Sequence, residues 1–224
     1  MRRRSVVVWV LLFFALYVFF TNSLFSMKML DNTCMQPGLN PGERFVFFSF
    51  NLQKILPDVD QLPDLPLHRG NIVLLKNYEN QKTNIFFSIA GKLFRFFTIG
   101  KVGFPGDTGQ LFIKRVIALP GDTISIKNFV ARVQPAHDPY TYTEYELADK
   151  TYIINIPLVS TLVDSSVPFS GDMEEVVLGD DQCFLMSDDR SNTNDSRTWG
   201  PVDTDRIIGK AIFRYWPVNK LGLP

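Results

Sequence analysis

The stretch GQLFIKRVIALPGDTISI, Gly109–Ile126, decides the fold: two apolar, β-branched runs are separated by a Pro-Gly-Asp turn. Side chains alternate across a strand, so Phe112, Lys114 and Val116 share one face while Ile113, Arg115 and Ile117 share the other. Two adjacent cations therefore cannot both avoid an apolar face. A lysine held there loses solvation of its charged form, its pKa falls, and it can act as a base near neutral pH. The alternative is a stem lying along apolar surface with the ammonium reaching water.

Outward from this stretch the same pattern recurs. RFVFFSF (44–50), NIVLL (71–75), TYIINI (151–156) and AIFRYW (211–216) are rich in aromatic and β-branched residues, with Pro and Gly turns between them. PGDT occurs at Pro105–Thr108 and again at Pro120–Thr123, each a turn signal. The segment 131–179 is polar and tyrosine-rich, spaced by Pro135, Pro139, Pro157 and Pro168, and reads as an inserted small subdomain. Residues 27–130 and 180–224 then form the core. The expected class is mostly β, with antiparallel sheets.

The chain has 224 residues and is 46% hydrophobic, enough for one domain with an insertion. That apolar content excludes disorder, and without a heptad or triplet period neither coiled coil nor collagen fits. Basic and acidic side chains balance at 23 each, whereas a nucleic-acid binder should carry a basic excess. Two cysteines and two histidines leave no Cys/His set for zinc, and a histidine-based triad could draw only on His68 or His137. No metal and no cofactor are expected.

Arg2, Arg3 and Arg4 precede an uncharged run from Ser5 to Met27. About 20 such residues cross a bilayer as a helix, and the arginines should keep the N-terminus cytoplasmic. The expected organisation is a tail at 1–4, a single transmembrane anchor at 5–26, and a domain tethered to the outer face of the membrane. A cleaved signal peptide is the competing reading, because the strictly apolar run Val6–Phe20 is short; Thr21-Asn22-Ser23 is a poor cleavage pattern. Asn84–Gly100 carries Phe residues around Lys92 and Arg95 at helical spacing, which suits either membrane lipid or the protein's own core.

Three stretches carry chemistry: NTCMQPGLNPGERFVF (32–47), the lysine strand, and CFLMSDDRSNTNDSRTWGPVDTDRIIGKAIFRYWP (183–217). In this order behind an N-terminal anchor they resemble bacterial signal peptidase I, the leader peptidase of the Ser-Lys dyad class. CMQPGL resembles the S-M-x-P-T-L nucleophile motif, and RGNIVLL resembles the R-G-D-I-V-V-F strand. FIKRVIALPGD is similar almost letter for letter to the lysine strand, and SDDRSNTNDSRTWGPV to the loop G-D-N-R-x-N-S-x-D-S-R-x-W-G.

The resemblance implies a membrane-bound endopeptidase removing signal peptides from exported preproteins. It places the nucleophile at Cys34, where the family has serine, and the general base at Lys114. The hydroxyl orienting the lysine falls on Thr193, and Asp195 with Arg197 fall on a supporting pair. The oxyanion donors fall on the Cys34 backbone N–H and on Asn32, whose carboxamide replaces a hydroxyl. Met35 and Pro37 lie where the substrate pocket should be. Asn71 and Ser187 are smaller departures, standing for Asp and Gly.

A thiol is easier to deprotonate than a hydroxyl, so neutral Lys114 would suffice as base. A Cys34 thiolate beside a protonated Lys114 is the other resting state open to the pair. A Cys34–Cys183 disulfide would abolish catalysis, though Cys183 reads as a buried strand residue. Three functional readings follow: the peptidase, a silent relative that binds signal peptides without cutting them, and a narrower maturation peptidase of the same clan.

Overall fold

The computed structural model of the protein describes residues 9, 12–14, 25–49, 67–76, 111–157 and 171–224. Among these residues the strands are β1 (Phe25–Met29), β2 (Arg44–Ser49), β3 (Ile72–Lys76), β4 (Leu111–Ala118), β5 (Thr123–Lys127), β6 (Val130–Gln134), β7 (Tyr142–Thr143), β8 (Met173–Val177), β9 (Gln182–Met186), β10 (Val202–Asp203) and β11 (Ile207–Trp216). Two single-turn helices accompany them, α1 (Glu144–Leu147) and α2 (Ser196–Trp199). A seven-stranded sheet runs β1-β2-β11-β3-β4-β9-β10, and a four-stranded sheet runs β7-β6-β5-β8. Their ladders are antiparallel throughout. The mostly-β, antiparallel expectation therefore holds.

The larger sheet is covered on both faces at its centre, which is why β3 and β4 read as unbroken apolar runs. Ile72, Leu74 and Ile113 pack with Phe45, Phe47 and the 30–39 loop, whose Leu30, Met35 and Leu39 are buried there. On the opposite face Val73, Leu75 and Val116 pack with Cys183, Leu185 and Val202. The smaller sheet closes over one end, setting Ile124, Ile126, Ala131 and Val133 on Ile117, Ala118, Phe184 and Met186. Loss of water from these apolar surfaces is the main stabilising contribution.

The division between sheets falls earlier than the sequence suggests. β5 belongs to the smaller sheet, so that unit begins at Thr123 rather than at 131. The chain turns at Asp122, whose carboxylate accepts the N–H groups of Leu119 and Ala136 and pairs with Arg69 at 2.7 Å. TYIINI is not a strand. Ile154 bridges Pro37, and Asn155 bridges Asp189, so this segment spends its backbone hydrogen bonds on loops instead of a sheet edge.

At the N-terminus, Trp9 and residues 12–14 are helical. Among the described residues no helix is long and apolar enough to cross a membrane, and most of 5–26 lies outside them. Phe25 and Ser26, the last two residues of the expected anchor segment, belong to β1. The Phe-rich stretch 84–100 also lies outside the described residues.

Candidate active site

Cys34 sits on the loop between β1 and β2, held at both ends of its own peptide units. Its carbonyl accepts the N–H of Asp189 at 3.0 Å, and its N–H donates to the Asn32 Oδ1 at 3.2 Å. Local turns fix the loop, since Gln36 N–H donates to Thr33 O and Leu39 N–H to Met35 O. The thiol is 2% exposed and donates to the Ile113 carbonyl at 3.5 Å. The nucleophile candidate thus lies against the residue that precedes the lysine.

Lys114 lies in β4 opposite Val73 of β3, with 2% exposure. Its Nζ donates to Ser187 Oγ at 2.7 Å and stands 5.8 Å from the centre of the Trp199 ring. Burial pushes the amine below the pKa of a solvated lysine, an effect only partly opposed by the charges of Cys34 and Asp195. Burial likewise pushes the Cys34 thiol up, with the Lys114 charge pulling it part of the way back. Both shifts favour neutral forms. Cys183, buried in β9, is pushed up by burial to about 12. No disulfide joins the two cysteines.

Ion pairs brace the loop after β9. Asp195 accepts the Ser187 N–H at 2.8 Å and the Arg197 Nε at 2.9 Å. Burial alone would raise its carboxyl, but the Arg197 guanidinium and the backbone N–H groups of Ser187 and Arg197 outweigh that and hold it below the ordinary carboxylate range. Arg197 also donates to the carbonyls of Arg190 and Asn192. One residue along β4 from the lysine, Arg115 grips Asp188 with two bonds of 2.7 and 2.5 Å and stacks 4.0 Å from the Tyr152 ring centre. Tyr152 donates to Glu144, which pairs with buried Arg190. This chain of contacts ties α1 of the smaller sheet to the loop behind Cys34.

The structure brings Cys34, Lys114, Asp195 and Arg197 into one region and changes the placing of three other residues. The hydroxyl bonded to Lys114 belongs to Ser187, not to Thr193, whose carbonyl instead accepts from Thr198 Oγ1 at 2.6 Å. Asn32 has its oxygen, rather than its amide hydrogens, on the Cys34 N–H. Met35 is fully buried in the core and presents no surface to a ligand, whereas Pro37 is exposed. Ser187 carried a signal in the strand register. β4 and β9 pair Val116 with Leu185 and Arg115 with Met186, and one further step sets Lys114 opposite position 187. Among the described residues no group of three or more His, Cys, Asp and Glu side chains is placed to hold a metal ion.

Cys34 on its tethered loop and Lys114 on its desolvated strand thus lie within reach of one another's charge. The family model described as signal peptidase, peptidase S26 matches residues 3–216, and the chain belongs to that family. The chain is 34% identical to the Probable signal peptidase I-1 of Synechocystis sp. over 116 residues, 52% of this chain and 48% of that one. It is 31% identical to Signal peptidase IB of Staphylococcus aureus over 121 residues, covering 53% and 60% of the two chains. With the chloroplastic Thylakoidal processing peptidase 1 of Arabidopsis thaliana, identity is 21% over 204 residues, 91% of this chain and 46% of the other. The chain spans about half the length of the curated relatives it matches.

Proposed function

We propose that this protein is an endopeptidase that removes signal peptides from exported preproteins, with Cys34 as nucleophile and Lys114 as general base. The observation that carries the reading is the pairing of a free, buried thiol with a buried amine whose desolvation favours the neutral, base-competent form. Of the two resting states, this favours thiol and amine over thiolate and ammonium. A silent binding relative would have no use for a desolvated lysine beside that thiol.

In the proposed cycle the Cys34 Sγ–H proton passes to Lys114 Nζ as Sγ attacks the scissile carbonyl carbon. The resulting oxyanion is met by the Cys34 N–H, once the Asn32 carboxamide turns its oxygen away and offers its N–H instead. Collapse breaks the C–N bond, the Lys114 ammonium protonates the leaving amine, and a thioester remains on Cys34. Neutral Lys114 then takes a proton from water, whose oxygen attacks the thioester carbonyl. Collapse breaks the C–S bond and releases the acid product, and the departing Cys34 sulfur takes the proton back from the Lys114 ammonium. The apolar segment expected at 5–26 would anchor the protein in the bacterial cytoplasmic membrane, with this site on the extracytoplasmic face and the preprotein's signal peptide arriving through the bilayer.

Acid-quenched intact-protein mass spectrometry tests the chemistry. With a signal-peptide substrate in detergent, the full chain should carry a hydroxylamine-sensitive acyl adduct on Cys34 that Cys34→Ala lacks. Product formation with the acyl group on another residue would overturn the assignment.

A further inference from the structure

We infer that Ser187 is the positioning residue for Lys114, so that the hydroxyl serving the base comes from the end of β9 and not from Thr193 in the loop beyond it. The inference rests on the peptidase reading and goes beyond it in rewiring the dyad's support. Three observations carry it. Lys114 Nζ to Ser187 Oγ is 2.7 Å, the hydrogen bond that the structure gives the amine. The β4–β9 register ends at the pair Arg115–Met186, and one step further along the two chains come Lys114 and Ser187, so the contact continues the line of the sheet. Ser187 is fully buried and its N–H is held by the Asp195 carboxylate, which fixes the hydroxyl's origin.

Geometry explains why the position matters. A neutral amine has two hydrogens and one lone pair, and an unconstrained lysine rotates all three freely. An acceptor that takes one N–H restricts that rotation, and the lone pair can be kept toward the side from which the Cys34 thiol approaches. The Asp195–Arg197 pair then acts on the base through Ser187, because it fixes the peptide unit that carries the hydroxyl. The bonds of Thr193 run through its carbonyl, which accepts Thr198 Oγ1 and the Asp195 N–H, while the hydroxyl on the Lys114 amine is that of Ser187.

The test compares Ser187→Ala and Thr193→Val in the full chain in detergent, using signal-peptide cleavage and, separately, the NMR titration of Lys114 in protein labelled at lysine Cε. A hydroxyl accepts more strongly from an ammonium than from an amine, so its loss should lower the Lys114 pKa further. The expected result for Ser187→Ala is a kcat fall of about 10- to 100-fold with KM within about twofold, the size of one lost orienting contact, together with a Lys114 titration moved to lower pH. Thr193→Val should leave both readouts near wild type, and Ser187→Thr should recover part of the loss in kcat. The opposite pattern, with Thr193→Val moving the titration and Ser187→Ala leaving it in place, overturns the inference. If wild type cleaves nothing, the peptidase reading fails and the titration alone decides the positioning role by the same two outcomes.

Discussion

Asn32 rests with its oxygen on the Cys34 N–H, the group that a tetrahedral intermediate would need. Asn32→Asp keeps that acceptor but has no hydrogen to offer, and it adds charge where charge develops. It should lower kcat by about 100-fold or more, the cost of one oxyanion donor. Asn32→Ser, which can still donate, should stay within about tenfold of wild type in steady-state cleavage. An unimpaired Asn32→Asp would remove the carboxamide from the mechanism. The pH profile follows from Lys114. Because burial lowers its pKa, the base should become active below the 10.5 of a solvated lysine, and kcat/KM should rise with pH along that limb. A limb only near 10.5 would contradict the desolvated base. Strand alternation placed one of the two adjacent cations on an apolar face and left the lysine's burial open; the structure buries both. Ser187 and the inverted Asn32 were not legible, since both depend on which atom of a neighbour lies within hydrogen-bond reach, which residue type alone does not encode.

Two elements determine how well the site is held. Arg115 in β4 and Asp188 after β9 form a bidentate pair with side-chain exposures of 7% and 1%. Asp188→Asn leaves a buried guanidinium without its counter-charge and should cost about 3–5 kcal/mol in denaturant unfolding, whereas replacing both partners by apolar residues should cost less. A loss under about 1 kcal/mol for the single variant would mean the pair is not buried as described. β11 runs so close to β2 that a Cβ on Gly209 would meet the Phe48 carbonyl oxygen at 2.6 Å. Gly209→Ala should therefore destabilise by about 1–3 kcal/mol through forced strand separation. Most strands were legible because composition and turns mark them, but TYIINI has strand composition without a strand's partner. Its Tyr152 is engaged by Glu144 and Arg115, and its backbone bonds go to Asp188 and Arg190.

At the level of the whole molecule, the chain's C-terminal hairpin is pinned back to the nucleophile loop by Glu43. This carboxylate, with 4% side-chain exposure, receives Arg214 at 3.0 Å and Lys220 at 2.9 Å. Burial raises its pKa, but these two cations outweigh that and hold it below its ordinary 4.5. The stability it contributes is thus present above 4.5 and is lost as pH falls through the lower folded value. Thermal unfolding should show Tm dropping below that point, with a shallower drop in Glu43→Gln; parallel curves would show that Glu43 is not the linked group. The place of the boundary between the sheets escaped sequence reading because β4 and β5 follow one another across a short turn, and only the pairing of β5 with β6 and β8 separates them. The central claim is that a Cys34–Lys114 dyad cuts signal peptides. Its most direct test is processing of a model preprotein in detergent by wild type, Cys34→Ala, Lys114→Ala and Cys34→Ser, each with and without a thiol alkylator. The account predicts loss of at least about 1,000-fold in both alanine variants, and loss on alkylation of wild type but not of Cys34→Ser. No cleavage by wild type, with activity appearing only in Cys34→Ser, would contradict it.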